Sequence, residues 1–313
     1  MPGAETVLLS LFRPLDLVTS HIRSSIVNRI VGSVARVACA LGVAALVITT
    51  VFDRRAGAAD AATIWRPALR TTWQWQLTGS PIDISLNVQM YDVDLFDTDP
   101  IVISTLHSQG RKAICYMSAG TWEDWRPDAN QFPASVKGQG NGWEGEKWLD
   151  IRNLDVLGPI MEARMDLCKA KGFDGVEPDN VDGYANTTGF PLSNVDQMKF
   201  NTFLANAAHA RGLSVGLKND LDQVKALEPL FDWALNEECF RYNECPQLTP
   251  FVQAGKAVFH VEYNREPAAF CPTTTALGFS SMKKKLNLDA YRVACDASLA
   301  PALAAPKGLR IVR

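Results

Sequence analysis

From about Trp73 to Cys295 the chain alternates two rhythms: short apolar runs patterned with period two, and longer stretches in which apolar positions recur every three or four residues. The first rhythm predicts strands and the second helices. The predicted strands are 84–91, 112–118, 147–152, 175–179, 213–219, 231–237, 256–263 and 277–281. The predicted helices are 100–108, 157–171, 195–211, 220–230 and 245–254, with Gly110, Gly172, Gly212 and Gly255 as C-terminal stops. Strands alternating with helices imply parallel pairing through crossover connections. Eight such strands fit one α/β domain, a TIM-like (β/α)8 barrel. The competing architecture, an open doubly wound sheet, usually carries a Gly-rich phosphate turn after its first strand, and this chain has none there.

Polar residues at the strand ends sharpen this picture. Nearly every predicted strand finishes on an acid, an amide, Lys or Tyr, and parallel barrels keep their chemistry at those C-terminal ends. The strongest case is Gly175-Val176-Glu177-Pro178-Asp179-Asn180-Val181-Asp182-Gly183-Tyr184. Glu177 and Asp179 share a face because side chains alternate along a strand. Pro178 has no N–H to give, so regular pairing should end there and leave Asp179 on a lip. A second acidic end, Asn236-Glu237-Glu238-Cys239, follows one strand-helix-strand unit later. Two such carboxylates are what glycosidic bond cleavage needs: one protonates the leaving oxygen, the other attacks or activates water.

Composition narrows the alternatives. The chain has 313 residues, 47% hydrophobic and 21% charged, as is ordinary for a globular protein. Residues 1–55 hold six Lys/Arg against three acids, so with a formal charge of −3 overall the remainder carries −6. No Lys/Arg stripe marks a nucleic-acid partner, and Lys283-Lys284-Lys285 reads as a solvated helix start. Of seven cysteines, Cys239 with Cys245 and Cys271 with Cys295 could form disulfides, fitting an oxidising compartment, or stay as partly buried thiols. Cys115 and Cys168 read as small core residues. No metal-ligand spacing, His cluster or GxSxG elbow is present, so no cofactor or metal is expected; His260 reads as a satisfied core histidine.

The domain layout read from the chain is a basic tail (1–36), an apolar segment (37–52), a linker (53–71), the barrel (72–295) and a C-terminal tail (296–313). At sixteen residues the apolar segment is short for a spanning helix, which needs about 20, and long for a signal-peptide core. Membrane anchor, cleaved signal and buried helix all stay open. The first two put the barrel outside the cytoplasm, either secreted or anchored to a membrane.

Trp73-Gln-Trp-Gln-Leu77, Tyr91-Asp92-Val-Asp94-Leu-Phe-Asp97, Cys115-Tyr-Met-Ser-Ala-Gly120 with Glu123-Asp-Trp-Arg-Pro127, Gly175-Val-Glu-Pro-Asp-Asn180 and Asn236-Glu-Glu-Cys239 occur in this order. Together, over about residues 72–295, they resemble glycoside hydrolase family 114, the endo-α-1,4-polygalactosaminidases. The resemblance implies a TIM-like barrel, cleavage of α-1,4-linked galactosaminoglycan, and a secreted or tethered location. It also implies that the two catalytic acids are Asp179 and Glu237. By similarity to other α-galactoside barrels, Asp179 is expected as nucleophile and Glu237 as general acid/base, giving retention.

Around them, the expected substrate-binding residues are Asp92, Tyr116, Ser118, Trp122, Glu177, Asn180, Lys218, Asn219 and Glu262. Glu177 has a second reading, an internal ion pair with Lys218. Asp92 is either a sugar or amine ligand or a cap. Trp122 and Trp125 either stack on sugar faces or form local core. Asp150 and Arg152 are expected to pair on the third strand, and Glu238 to turn away from Glu237. A galactosamine polymer with free amines is cationic, so an acidic mouth would attract it. A monomer acting on that polysaccharide is expected, with membrane contact through the N-terminal segment. A carbohydrate-binding protein without catalysis is the alternative.

Overall fold

The computed structural model describes residues 64–295. The tail 1–36, the apolar segment 37–52, Cys39 and the tail 296–313 lie outside the described residues. In chain order the first elements are β1 (Trp73–Gln76), β2 (Met90–Asp94), α1 (Pro100–Ser108), β3 (Lys112–Ser118), β4 (Thr121–Glu123), β5 (Lys137–Gly140), β6 (Glu146–Leu149) and α2 (Leu154–Lys171). There follow β7 (Gly175–Asp179), α3 (Asn194–Ala210), β8 (Ser214–Lys218), α4 (Val224–Leu227), β9 (Trp233–Glu237), α5 (Cys239–Tyr242) and α6 (Thr249–Gln253). The last are β10 (Val258–Glu262), α7 (Pro267–Ala276), β11 (Ser280–Lys283) and β12 (Val293–Ala294).

Eight of the strands run parallel in the order β1-β2-β3-β7-β8-β9-β10-β11, and β12 adds antiparallel to β11. The sheet curls into a TIM-like barrel. Its seam is bridged by Trp73 Nε1 donating to the Ser280 carbonyl (2.9 Å) and by Leu77 and Thr78 N–H donating to the Leu288 carbonyl (3.0 and 3.2 Å). Strand alternation sorts the side chains into two cores. Trp73, Trp75, Ile114, Trp233, Leu235 and Phe259 pack together inside the barrel. Val93, Cys115, Val176, Val215 and Leu217 face outward against the helices.

Local signals account for the helices. Asp99 caps α1 through its carboxylate to Ile101 N, with Pro100 at the first helical position. Ser193 and Asp196 form a reciprocal capping box at the start of α3. Gly172 ends α2 in the left-handed region, at φ 95°, where a side chain would be strained.

The structure departs from the sequence reading at several elements. The 147–152 run is not a barrel strand: β6 pairs antiparallel with β4 and β5 in a small accessory sheet between β3 and α2. The barrel's first strand is instead β1, whose Trp-Gln-Trp-Gln alternation is only four residues long and is fully buried. The predicted helix 220–230 is broken into short turns around α4, and α7, with Pro272 inside it, was not foreseen. Cys115 and Cys168 are not free core thiols; they bond to each other and tie β3 to α2, beside the foreseen pairs Cys239–Cys245 and Cys271–Cys295. The lysine run also differs: Lys283 ends β11, and Lys284 is fully buried. No helix among the described residues is long and apolar enough to cross a membrane.

Candidate active site

Pro178 does what its chemistry requires. The β7–β8 ladder stops after the Val176–Val215 pair, while the β3–β7 ladder continues to Ser118–Asp179. The gap is filled by Lys218, from the end of β8. Its ammonium lies 2.9 Å from Glu177 Oε1, 3.0 Å from Asp179 Oδ1 and 3.2 Å from Glu237 Oε2. Its three N–H donors thus match three carboxylates carried by β7 and β9. The Trp75 ring lies 4.6 Å from Nζ. Burial opposes the lysine's charge, but Asp179, Glu177 and Glu237 outweigh it and hold the ammonium well above lysine's ordinary pKa.

The three strands share one device. Asn180, Asn219 and Glu238, each the first residue after its strand, adopt left-handed conformations at φ 61°, 50° and 61°. Asparagine tolerates this region; glutamate does so at a cost. The chain therefore leaves each strand sharply, and Asp179 and Glu237 remain on the lip with side chains 18% and 27% exposed. A close approach completes the wall: a Cβ on Gly120 would lie 1.7 Å from the Asn180 carbonyl oxygen, so no larger residue fits there.

Each lip carboxylate has its own donors. Asp179 Oδ2 accepts from Tyr116 OH (2.9 Å) and Oδ1 from Asn180 N–H (2.8 Å). Glu237 Oε1 accepts from Tyr263 OH, and Oε2 from Asn219 Nδ2 (3.3 Å). Asn219 Oδ1 also accepts from Glu237 N–H (3.0 Å), fixing the amide's orientation. Burial and the neighbouring carboxylates push both tyrosines above their ordinary pKa, so they stay donors. Ser118 acts one layer back, its Oγ accepting from Asn180 Nδ2 (3.0 Å).

Beneath the lip, Glu177 is fully buried, and its Oε2 accepts from Trp75 Nε1 (3.0 Å). Burial raises its pKa to about 7 against the pull of Lys218. Asp92, also fully buried, meets no donor at either oxygen as a carboxylate. Burial and the Glu177 charge drive its pKa well up, so Asp92 holds a proton and donates it to Glu177. Beside the lip, burial and Asp179 raise Asp182 to about 6, and burial with Asp182 raises Asp220 to about 7.

Several expected ligands therefore stand elsewhere. Asp92 lies behind Glu177, not open to the mouth. Glu262 is fully buried because Phe259 and Val261 take the inward positions of β10, which turns Glu262 outward. There its Oε1 accepts from Phe240 N–H (3.0 Å), Arg241 N–H (3.2 Å) and His260 Nε2 (3.0 Å). Trp122 gives its N–H to the Ala129 carbonyl (2.9 Å), with Lys137 Nζ 4.0 Å from its ring. Asp150 and Arg152 do pair, at 2.7 Å, but in the turn after β6. Glu238 turns away from Glu237 and pairs with Arg241 at 2.8 Å. Asp179, Glu237, Glu177, Lys218, Tyr116, Asn180 and Asn219 are the expected residues brought together. Sequence reasoning did not select Trp75 or Glu146, and it reached Tyr263 only as one of several polar strand ends. Tyr263 continues the inward parity of Phe259 and Val261, a signal readable once that parity is known. Cys239 and Cys245 sulfurs lie beside His260, but they are bonded to each other and offer no metal thiolates.

The sequence profile of Glycoside-hydrolase family GH114 matches residues 54–300. The crystal structure of Aspergillus fumigatus Ega3 in complex with galactosamine is similar at TM-score 0.71 and 41% identity, covering 74% of this chain and 98% of that one. The glycoside hydrolase domain of Pseudomonas aeruginosa PelA shares the fold at TM-score 0.57 and 13% identity, covering 73% and 99%. A protein of unassigned function from Deinococcus radiodurans is 27% identical over 244 residues, 65% of this chain and 76% of its own length. The chain belongs to glycoside hydrolase family GH114 and is a glycoside hydrolase.

Proposed function

We propose that the enzyme cleaves α-1,4-galactosaminidic bonds inside galactosamine polymers with retention, using Asp179 as nucleophile and Glu237 as general acid/base. One observation carries this reading: a single ammonium, Lys218, touches both carboxylates. Those two oxygens can be no further apart than the two contacts laid end to end. That suits the roughly 5–5.5 Å carboxyl spacing of retaining enzymes better than the roughly 6.5–9.5 Å of inverting ones.

In the first step Glu237 donates its proton to the leaving glycosidic oxygen while Asp179 attacks the anomeric carbon and forms a glycosyl ester. In the second, Glu237 takes a proton from water as the water attacks that carbon and Asp179 leaves. Lys218, Tyr116 and Asn180 N–H hold and aim the attacking carboxylate. Tyr263 and Asn219 orient the other. Similarity to Ega3, solved with galactosamine, supports the sugar class. Complementary charge supports a polymer with free amines, which Asp179, Asp182, Glu146 and Glu237 would draw to the mouth. Three disulfides support action outside the cytoplasm.

The test is incubation of the full chain with defined galactosamine oligomers, reading reducing-end release by mass spectrometry and anomeric configuration by NMR. Internal cleavage with retained configuration is expected, and Asp179→Asn should lower kcat on the order of 10⁴-fold with an unchanged circular dichroism spectrum. Near-normal turnover in that variant would remove Asp179 from its role. Polymer binding without reducing-end release in the wild type would favour the non-catalytic carbohydrate-binding alternative.

A further inference from the structure

The accessory sheet carries an unusual surface. Trp73, Trp75, Trp148 and Trp233 are buried, yet Trp125 is 51% and Trp143 59% exposed, both in the connection between β3 and α2. Two large indole rings thus stand half in water. Trp125 is nonetheless firmly seated. Its ring lies against Gly145, where an added Cβ would come 2.8 Å from Cζ3. The Arg126 guanidinium beside it, 5.8 Å from the ring centre, is fixed by Asp94 (2.7 Å) and Glu123 (2.8 Å). Trp143 is anchored by its backbone N–H to Asn141 Oδ1 (3.0 Å).

Exposed acids interleave with the rings: Asp124 precedes Trp125, and Glu144 follows Trp143. The surface is tied to the lip by a relay of hydrogen bonds through buried Thr121 and Ser118. Glu146, two residues beyond Glu144, accepts from Thr121 Oγ1 (3.1 Å), Thr121 meets Ser118, and Ser118 meets Asn180 beside Asp179. Burial and the Asp179 charge raise the Glu146 pKa, as expected of a group between the two.

We propose that this face of the accessory sheet is a second binding surface for the same cationic polysaccharide, outside the point of cleavage. Trp125 and Trp143 stack on the apolar faces of pyranose rings, and Asp124 and Glu144 receive the 2-ammonium groups beside them. Ring next to carboxylate is the pairing that an amino sugar offers in reverse: a flat C–H face next to a cation. Neutral polysaccharide would leave the acids unmatched, and a protein partner would meet no broad apolar patch. The inference rests on the proposed substrate class and extends it from the cleaved bond to the flanking chain.

The test compares the full-length wild type with Trp143→Ala, Trp125→Ala and the double variant on long deacetylated galactosamine polymer and on the shortest oligomer the wild type cleaves. The double variant is expected to raise the polymer KM about tenfold, with polymer kcat and short-oligomer kinetics within twofold. In an Asp179→Asn background, tryptophan fluorescence should respond to polymer and lose most of that response when Trp143→Ala is added. Thermal melts check that each variant is folded, and Trp143→Ala alone carries the test if Trp125→Ala is not. Unchanged polymer KM overturns the inference, as does an equal loss on the short oligomer, which would place the rings in the cleavage site itself. A wild type that neither binds nor cleaves galactosamine overturns the substrate reading, and this inference with it.

Discussion

Two lysines in this barrel are equally buried, yet their pKa values are pushed in opposite directions. Lys218 ends β8 and Lys284 follows β11, each 1% exposed. Lys218 faces three carboxylates and is held well above its ordinary pKa. Lys284 meets the Asp289 carbonyl at 2.6 Å and Gln74 Oε1 at 3.4 Å, and burial pushes it down to about 7. Burial alone thus fixes neither charge nor role; the partners do. At the mouth a permanent cation gathers anions that would otherwise repel each other. At the seam a lysine of variable charge works as a hydrogen-bonding clamp between β1 and the segment after β11.

The strongest way to break this comparison is Lys218→Met. It leaves Glu177, Asp179 and Glu237 facing one another without a counter-charge. A stability loss of about 3–5 kcal/mol in denaturant unfolding is expected, together with near-complete loss of turnover. A variant that melts like the wild type would mean that the ammonium organises nothing. Glu177→Gln has a smaller, pH-shaped effect. Its folded pKa of about 7 exceeds the ordinary 4.5, so the folded state binds more protons in that window. Its stability contribution is complete below about 4.5 and disappears as pH rises through 7. Melting temperatures measured across that range should fall less steeply in the variant, while Asp182 and Asp220, near 6 and 7, preserve part of the slope. Lys284→Met should do least. The lowered lysine pKa means that the unfolded chain binds more protons between about 7 and 10.5, so wild-type stability rises with pH there. The variant should lose that alkaline rise and keep kcat within twofold. If it instead loses activity as Lys218→Met does, the seam and the mouth are not separable.

The sequence made the mouth legible where the signal is local. A short apolar run interrupted by Pro178 marks β7, and alternation places Glu177 and Asp179 on one face without knowledge of any partner strand. The same reasoning found the Glu177–Lys218 pair. It failed for Glu262 because β10 is buried on both faces, so the alternation of His260 and Glu262 with Phe259 and Val261 does not tell which side turns inward. It failed for β6 because an alternating run states its own period and not its neighbour; hairpin and barrel strands look alike until pairing is known. Cys115 and Cys168 are 53 residues apart and each looks like core, so only the packing of α2 on β3 reveals their bond. Lys284 resembles its neighbours in a basic run, and only the closing of the seam over it explains its burial.

The disulfide ring behind Glu237 has a practical corollary. Cys239 lies two residues beyond that carboxylate, and its bond to Cys245 spans a separation of only six. So short a loop constrains the unfolded chain less than the 53-residue span does, so its contribution to global stability is the smaller of the two. What it does lock is the exit from β9. Enzyme in which only Cys239 and Cys245 are replaced by Ser should therefore fold with near-normal yield and still be catalytically slack, the two longer disulfides holding the barrel.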